Sequence, residues 1–278
     1  MSSFPTLHSK KQIKYLWKND YYRDRIIKYI MKYVRTDRVK VYSDIYSIIR
    51  SSITDMHDDV HVYKELFNYL NKISGINNDS DIDRPKERSM AIKSILYQVE
   101  LVLGETYISS YIDIGSGTGT ITDCVGSSLN IPNTYSSDIV LPQIPGDNFL
   151  HIEDGKIPLP DNSIDLVTCF VVLHHVNDLN KFFKEITRIM RKNGIFIIRE
   201  HNVTNPIMRI FLDVIHSISC IVHNNEDIDK FYSEYDVFFQ SMKNWDAIIN
   251  MAGFKKICDI TYTMENPQML YYAAYKYS

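Results

Sequence analysis

An α/β fold with a largely parallel sheet and helices on both faces is predicted by three observations. From residue 111 onward, short apolar runs alternate with stretches of helical periodicity, joined by short crossovers. The first run ends in Asp113-Ile-Gly-Ser-Gly-Thr-Gly119, a strand feeding a tight turn and then a helix. A later run, Ile164 to Phe170, is nearly continuously apolar after Asp165, as expected of a strand buried on both faces.

The elements follow in order. Thr120 to Leu129 is the first crossover helix, and Thr134 to Asp138 is a short strand ending in an acid. Phe149 to Ile152 is the third strand, with Glu153-Asp154-Gly155 at its carboxyl end. Residues 157–163 are turn-rich and lead into the fourth strand. Leu179 to Met190 reads as a helix with Gly194 as its C-cap, and Gly194 to Arg199 as the fifth strand. Pro206 to Val222 is a helix too apolar for an open surface. With the residues up to Gln240 it forms a lid-like insertion, about 206–240, over the carboxyl ends of the strands. Asn244 to Ala252 is the last helix. Lys256 to Thr263 and Leu270 to Lys276 form an antiparallel hairpin at one edge, turning at residues 265–268.

Ahead of this α/β region, which begins near residue 85, lies a helical extension of residues 1–84. Lys10 to Lys40 holds eleven Lys or Arg against three Asp, a local charge of +8; the chain as a whole carries −3, so the remainder carries −11. Tyrosines 15, 21, 22, 29 and 33 interleave with the basic residues. This mixture suits either RNA phosphates and bases or an amphipathic helix pair with solvated lysines. Asp58, Asp59 and His61 read as a helix start rather than a metal site. Lys72 to Pro85 reads as a linker. Glu87 to Leu103 is the helix packed on the sheet just before its first strand.

Composition bounds the setting. At 278 residues and 45% apolar, the chain can build one large domain with an extension. The four cysteines are widely spaced, which suits neither a zinc knuckle nor a disulfide framework, so no metal is expected. No signal-peptide core is evident, and uninterrupted apolar runs are too short to cross a bilayer. A cytoplasmic protein without a membrane role is the expectation.

These motifs resemble the class I S-adenosylmethionine-dependent methyltransferases over residues 85–278. Residues 113–119 look like that family's first motif, Asp138 like its ribose-binding acid, and Asp154-Gly155 like its adenine-holding segment. Ile157-Pro-Leu-Pro-Asp-Asn-Ser-Ile-Asp-Leu-Val167, Leu173-His-His-Val176 and the helix ending Ala252-Gly-Phe254 resemble later family segments. The broad ubiquinone-biosynthesis-like subgroup is the most similar. The resemblance implies a Rossmann-like seven-stranded sheet, mostly parallel with an antiparallel last strand, and S-adenosyl-L-methionine as cofactor. It implies cofactor contacts at Asp113, Gly115, Ser116, Gly117, Gly119, Asp138, Ile139, Asp154 and Gly155. Asp113 is expected either to approach the cofactor's amino end through its turn or to cap local backbone groups. The Asn/Asp-Pro-Pro-Tyr tetrad of adenine N6 enzymes is absent; Phe170-Val-Val-Leu173 stands there instead.

On the acceptor side, Glu200 and His201 follow the fifth strand, and His175 follows the fourth. A carboxylate beside an imidazole can orient an acceptor and take its proton. The expected activity is methyl transfer to a small metabolite or RNA, with a protein acceptor or a catalytically inactive scaffold subunit as alternatives. Oligomeric state is not legible.

Overall fold

A computed structural model describes residues 5–34, 37–74, 85–260 and 270–278. In chain order the helices are α1 (Gln12–Leu16), α2 (Asp20–Ile30), α3 (Arg38–Thr54), α4 (Asp59–Ser74) and α5 (Pro85–Leu103), then α6 (Thr120–Ser128), α7 (Leu179–Ile189), α8 (Pro206–Ser217), α9 (Ile228–Glu234) and α10 (Met242–Met251). The strands are β1 (Ser110–Ile114), β2 (Asn133–Asp138), β3 (Phe149–His151), β4 (Ile164–Phe170), β5 (Met190–His201), β6 (Phe254–Ile260) and β7 (Leu270–Tyr277). Most of the expected linker, the end of the expected sixth strand and the turn at 265–268 lie outside the described residues.

The chain divides into two compact units. One comprises Met1–Lys86 with Val203–Asp236, and the other Glu87–Asn202 with Val237–Ser278. Residues 203–236 of the expected insertion are thus grouped with the N-terminal helices.

In the helical unit, buried polar groups join elements distant in sequence. Asp59, at the start of α4, accepts the backbone N–H groups of Gln12 (2.7 Å) and Ile13 (3.2 Å), so it caps α1. Asp58 Oδ1 accepts the His61 N–H at 3.0 Å and opens α4, as its spacing predicts. Gln12 Nε2 and the Tyr235 hydroxyl each donate to Asp213 on α8 at 3.0 Å. The helical stretch Pro206–His223 is, by length and composition, the one candidate membrane span among the described residues. Single apolar runs do not reveal it, because Asp213, His216 and Ser217 interrupt them. More than half of it is buried inside the protein, and Asp213 is satisfied there by hydrogen bonds, as in a core helix.

The other unit holds a seven-stranded sheet in the order β3-β2-β1-β4-β5-β7-β6. The pairings from β3 to β5 are parallel; β7 is antiparallel to both β5 and β6. Strand order reverses between β1 and β4, the place where open α/β sheets bind ligands. Both faces of the sheet are dry. Ile112, Val167, Phe196, Ile198 and Tyr275 face one apolar cluster with α7 and α10, while Tyr111, Leu166, Ile197 and Ala274 face another with α5 and α6. Central strands therefore read as continuous apolar runs.

The α7–β5 junction differs from expectation. The helix ends at Ile189, and Met190 is already extended (φ −74°, ψ 139°), so Gly194 is not the helix cap. Asn193 takes the left-handed conformation (φ 67°). Gly194 is small for a packing reason: a Cβ there would sit 2.9 Å from the Arg191 carbonyl and 3.2 Å from that of Asp165.

One clamp orders the turn-rich approach to β4. Arg188 on α7 donates to Glu185 through Nε and Nη2, to the Ile157 and Leu159 carbonyls, and to Asp161. Glu185 also accepts the Ile157 N–H at 2.8 Å, and the Arg188 guanidinium holds its carboxyl down at about 2. The ion pair thus fixes residues 157–161 just downstream of Asp154-Gly155.

Candidate active site

The glycine turn leaves β1 at the switch point. Gly115, Gly117 and Gly119 have φ of 71°, 57° and 77°, the region that favours glycine. The Gly115 and Ser116 N–H groups donate to the Ser137 carbonyl at 2.8 and 3.0 Å, tying the turn to β2. A Cβ at Gly115 would meet Val172 Cγ2 at 2.4 Å, whereas one at Gly117 would meet nothing within 4 Å. The turn is therefore packed against protein on one side and open on the other. Gly119 begins α6 without a side-chain cap, leaving first-turn N–H groups for an external acceptor. The Ser116 hydroxyl is buried and finds no hydrogen-bond partner among the described residues.

Asp138, at the end of β2, is aimed at this turn. Its Oδ2 accepts the Gly117 N–H at 2.9 Å and its Oδ1 the Val140 N–H at 3.1 Å. Ile139 beside it is 70% exposed, so it is not core packing. Asp154 and Gly155 are exposed and both left-handed (φ 49° and 68°), in a tight turn closed by the Lys156 N–H on the Glu153 carbonyl. Carboxyl ends of β1, β2 and β3 thus carry the glycine turn, Asp138 and Asp154-Gly155 side by side. A backbone cradle, an open glycine, an orphan hydroxyl and two acids fit a ligand with a carboxylate end, a ribose and an adenine.

Among the described residues, the Asp113 side chain accepts from hydroxyls rather than from backbone groups. Its carboxyl is buried and accepts the Thr168 hydroxyl at 2.6 Å and the Thr122 hydroxyl at 3.0 Å. Burial pushes it up to about 7, against the lowering effect of the two hydroxyls. Unfolded, it titrates near 4. Between those values the unfolded chain has lost a proton that the native state keeps, so stability falls as pH rises from about 4 to 7, by at most about 1.4 kcal/mol per unit for this group. Urea denaturation of wild type and Asp113→Asn across that range checks this: the variant is expected to show the flatter profile, and parallel profiles would refute the assignment.

The acceptor-side candidates form a cluster around His174. Glu200 and His201 are buried at the end of β5, and His175 is exposed on the turn after β4. Glu200 Oε2 lies 2.8 Å from His174 Nδ1 and accepts the His201 backbone N–H at 3.2 Å. The imidazole paired with the carboxyl is therefore His174, where sequence adjacency suggested His201. The His174 ring lies 4.1 Å from that of His175 and 5.0 Å from that of His201, centroid to centroid, and stacks on Phe239. Burial raises Glu200, opposed by His201 and by backbone N–H donors, and lowers His174 to about 3. Burial thus disfavours the charged form of both groups. Tyr271 on β7 stands directly opposite Glu200.

One feature of this site carried no sequence signal. Val171, at the exit of β4, has φ 63°, an outlier for a β-branched residue, and its N–H donates to the Arg199 carbonyl at 2.6 Å. The strain sits where β4 turns back past Gly115. A separate cavity of about 710 Å³ lies between α7 and α10, lined by Asn177, Asp178, Phe183, Phe238 and Ile248; none of the site candidates lines it.

Comparison with known proteins places this geometry. Residues 112–198 match a family model described as a methyltransferase domain. The chain is 22% identical over 163 residues to an uncharacterized methyltransferase of Bacillus subtilis, spanning 52% of this chain and 63% of that protein. It is 24% identical over 172 residues to a ubiquinone/menaquinone biosynthesis C-methyltransferase of Rickettsia prowazekii, spanning 54% and 69%. The crystal structure of the PH0226 protein from Pyrococcus horikoshii is similar in fold, with a TM-score of 0.50 and 14% identity over 76% of this chain and 99% of that one. Residues 112–198 thus carry a methyltransferase-domain match on a sheet whose order and glycine turn have the Rossmann-like methyltransferase form, and that fold implies S-adenosylmethionine as cofactor.

Proposed function

We propose that this protein catalyses methyl transfer from S-adenosylmethionine to a small-molecule or RNA acceptor. The observation that carries the reading is the convergence of the glycine turn, Asp138 and Asp154-Gly155 at adjacent carboxyl ends of β1, β2 and β3. When bound, the cofactor supplies an electrophilic methyl group, and the protein's own task is positioning and desolvation. Gly115, Ser116, Gly117 and Gly119 hold the methionine portion through backbone N–H groups. Asp138 accepts the ribose hydroxyls, Ile139 flanks the adenine and Asp154-Gly155 takes its amino group. Asp113 acts from beneath, holding Thr122 on α6 and Thr168 on β4 in place around the turn.

On the acceptor side, His175 takes the proton of an acceptor that keeps one at neutral pH. Glu200 and His201 are positioning residues: Glu200 locks His174, on which the His175 ring rests. Similarity to the ubiquinone/menaquinone biosynthesis enzymes favours a small-molecule acceptor. The +8 charge of Lys10–Lys40 favours RNA. The four cysteines are free, which suits the reducing cytoplasm.

A labelled-methyl screen over total RNA, protein and small-molecule extracts tests the activity and sorts the acceptors. Label is expected in the small-molecule or RNA pool. Asp138→Ala and Asp154→Ala are each expected to weaken S-adenosylhomocysteine binding about tenfold, as loss of a charged hydrogen-bond acceptor does. No binding of that compound to the wild-type protein by calorimetry would overturn the reading.

A further inference from the structure

In the helical unit, α2 is two-sided. Asn19 caps it by accepting the Tyr21 N–H at 2.9 Å, and Ile26, Ile27 and Ile30 are buried. Tyr21, Arg25 and Lys28 follow at intervals of four and three, and Lys32 continues the row in the next turn. At 3.6 residues per turn Tyr21, Arg25 and Lys28 fall within an arc of about 60° on the side opposite the isoleucines, and Lys32 follows in the 3-10 turn Met31–Tyr33, its ammonium 5.2 Å from the Tyr33 ring centre. Lys28 and Lys32 are exposed, and the Tyr21 ring is 51% exposed with the Arg25 guanidinium 4.2 Å from its centre. Acidic residues of the helix are turned elsewhere: Asp20 pairs with Arg23 at 2.7 Å, and Asp24 accepts the Tyr42 hydroxyl at 2.7 Å. Arg23 itself lies against the Trp17 and Tyr46 rings and serves packing.

We infer that the surface formed by Tyr21, Arg25 and Lys28 of α2 with Lys32 of the turn after it binds single-stranded RNA. Three cations in a row meet successive phosphates, and the phenol ring with its neighbouring guanidinium plane offers a stacking face for an unpaired base. Such a face is of use only where bases are unstacked, so a single strand fits and a duplex does not. An anionic membrane would call for an apolar flank on the same side, whereas the isoleucines point the other way. This inference rests on the RNA-acceptor reading above, and names where that RNA is held.

The test is fluorescence anisotropy of the full-length protein with a labelled twelve-nucleotide single-stranded RNA, at several salt concentrations. Binding is expected to weaken with salt, with a log–log slope of about −2 for three phosphate contacts. Arg25→Ala/Lys28→Ala/Lys32→Ala is expected to weaken it at least tenfold and flatten the slope. Tyr21→Ala should cost about fivefold or more, with Tyr21→Phe restoring most of it. Thermal melts check that the exposed substitutions leave the fold intact, and Lys28→Glu alone provides a second, milder variant with the same direction of effect. Equal affinity for duplex RNA, unchanged affinity in the triple variant, or binding confined to phosphatidylserine vesicles would each overturn it. RNA binding lost in the triple variant, without methyl incorporation into RNA, would sustain this surface while removing the RNA-acceptor reading.

Discussion

Gly115→Ala is expected to destabilise the protein by about 2–5 kcal/mol and to weaken S-adenosylhomocysteine binding more than tenfold. Two costs combine. An alanine at φ 71° is strained by about 1–2 kcal/mol, and its methyl group would overlap Val172, adding about 1–3 kcal/mol. Rotating Val172 about χ1 does not relieve the overlap, since its Cβ also lies only 3.2 Å away. Gly117→Ala separates packing from ligand approach. With nothing within 4 Å of that position, only the backbone strain of about 1 kcal/mol applies to the free protein. If the open side of the turn receives the cofactor, the alanine still lowers affinity severalfold. Thermal melts and calorimetry on both variants read the two effects separately, and unchanged affinity in Gly117→Ala would place the cofactor elsewhere.

The second large effect is expected at the carboxyl–imidazole contact. Glu200→Ala should cost about 3–5 kcal/mol, because it leaves His174 Nδ1 buried beside a void at the centre of the unit. Glu200→Gln keeps a hydrogen-bonding group of the same shape and should cost only about 1 kcal/mol. A double-mutant cycle with His174→Ala measures the coupling: the double variant is expected to be at least 1 kcal/mol more stable than the sum of the single losses implies. Additive losses would mean that the contact contributes little. If Glu200 only positions the turn bearing His175, Glu200→Gln should lower kcat modestly, and the pH profile of the remaining activity should still follow His175. Loss of that pH dependence in Glu200→Gln would make the carboxyl itself the proton acceptor.

Legibility varied with how local each feature is. The glycine turn was readable because it is a short run whose residue types answer to backbone geometry, the left-handed φ of Gly115, Gly117 and Gly119. The buried strands were readable because burial on both faces leaves no polar alternation. Gly194 misled for a related reason: a glycine after a helix suggests a cap, but this one is needed for close packing of the backbones around Arg191 and Asp165.

From the sequence, periodicity and turn chemistry, encoded within a few residues, pointed to the α/β class and an antiparallel edge, while the resemblance of its motifs to a known family implied the seven strands and the methyl donor. Only the tertiary structure decided which groups meet across the chain. Glu200 meets His174 across 26 positions, Asp113 meets Thr168 across 55, and Gln12 meets Asp213 across 201. Tertiary structure also grouped residues 203–236 with the N-terminal helices. These pairings follow from strand order and helix packing, which bring remote segments together, and a linear pattern carries no distance between them.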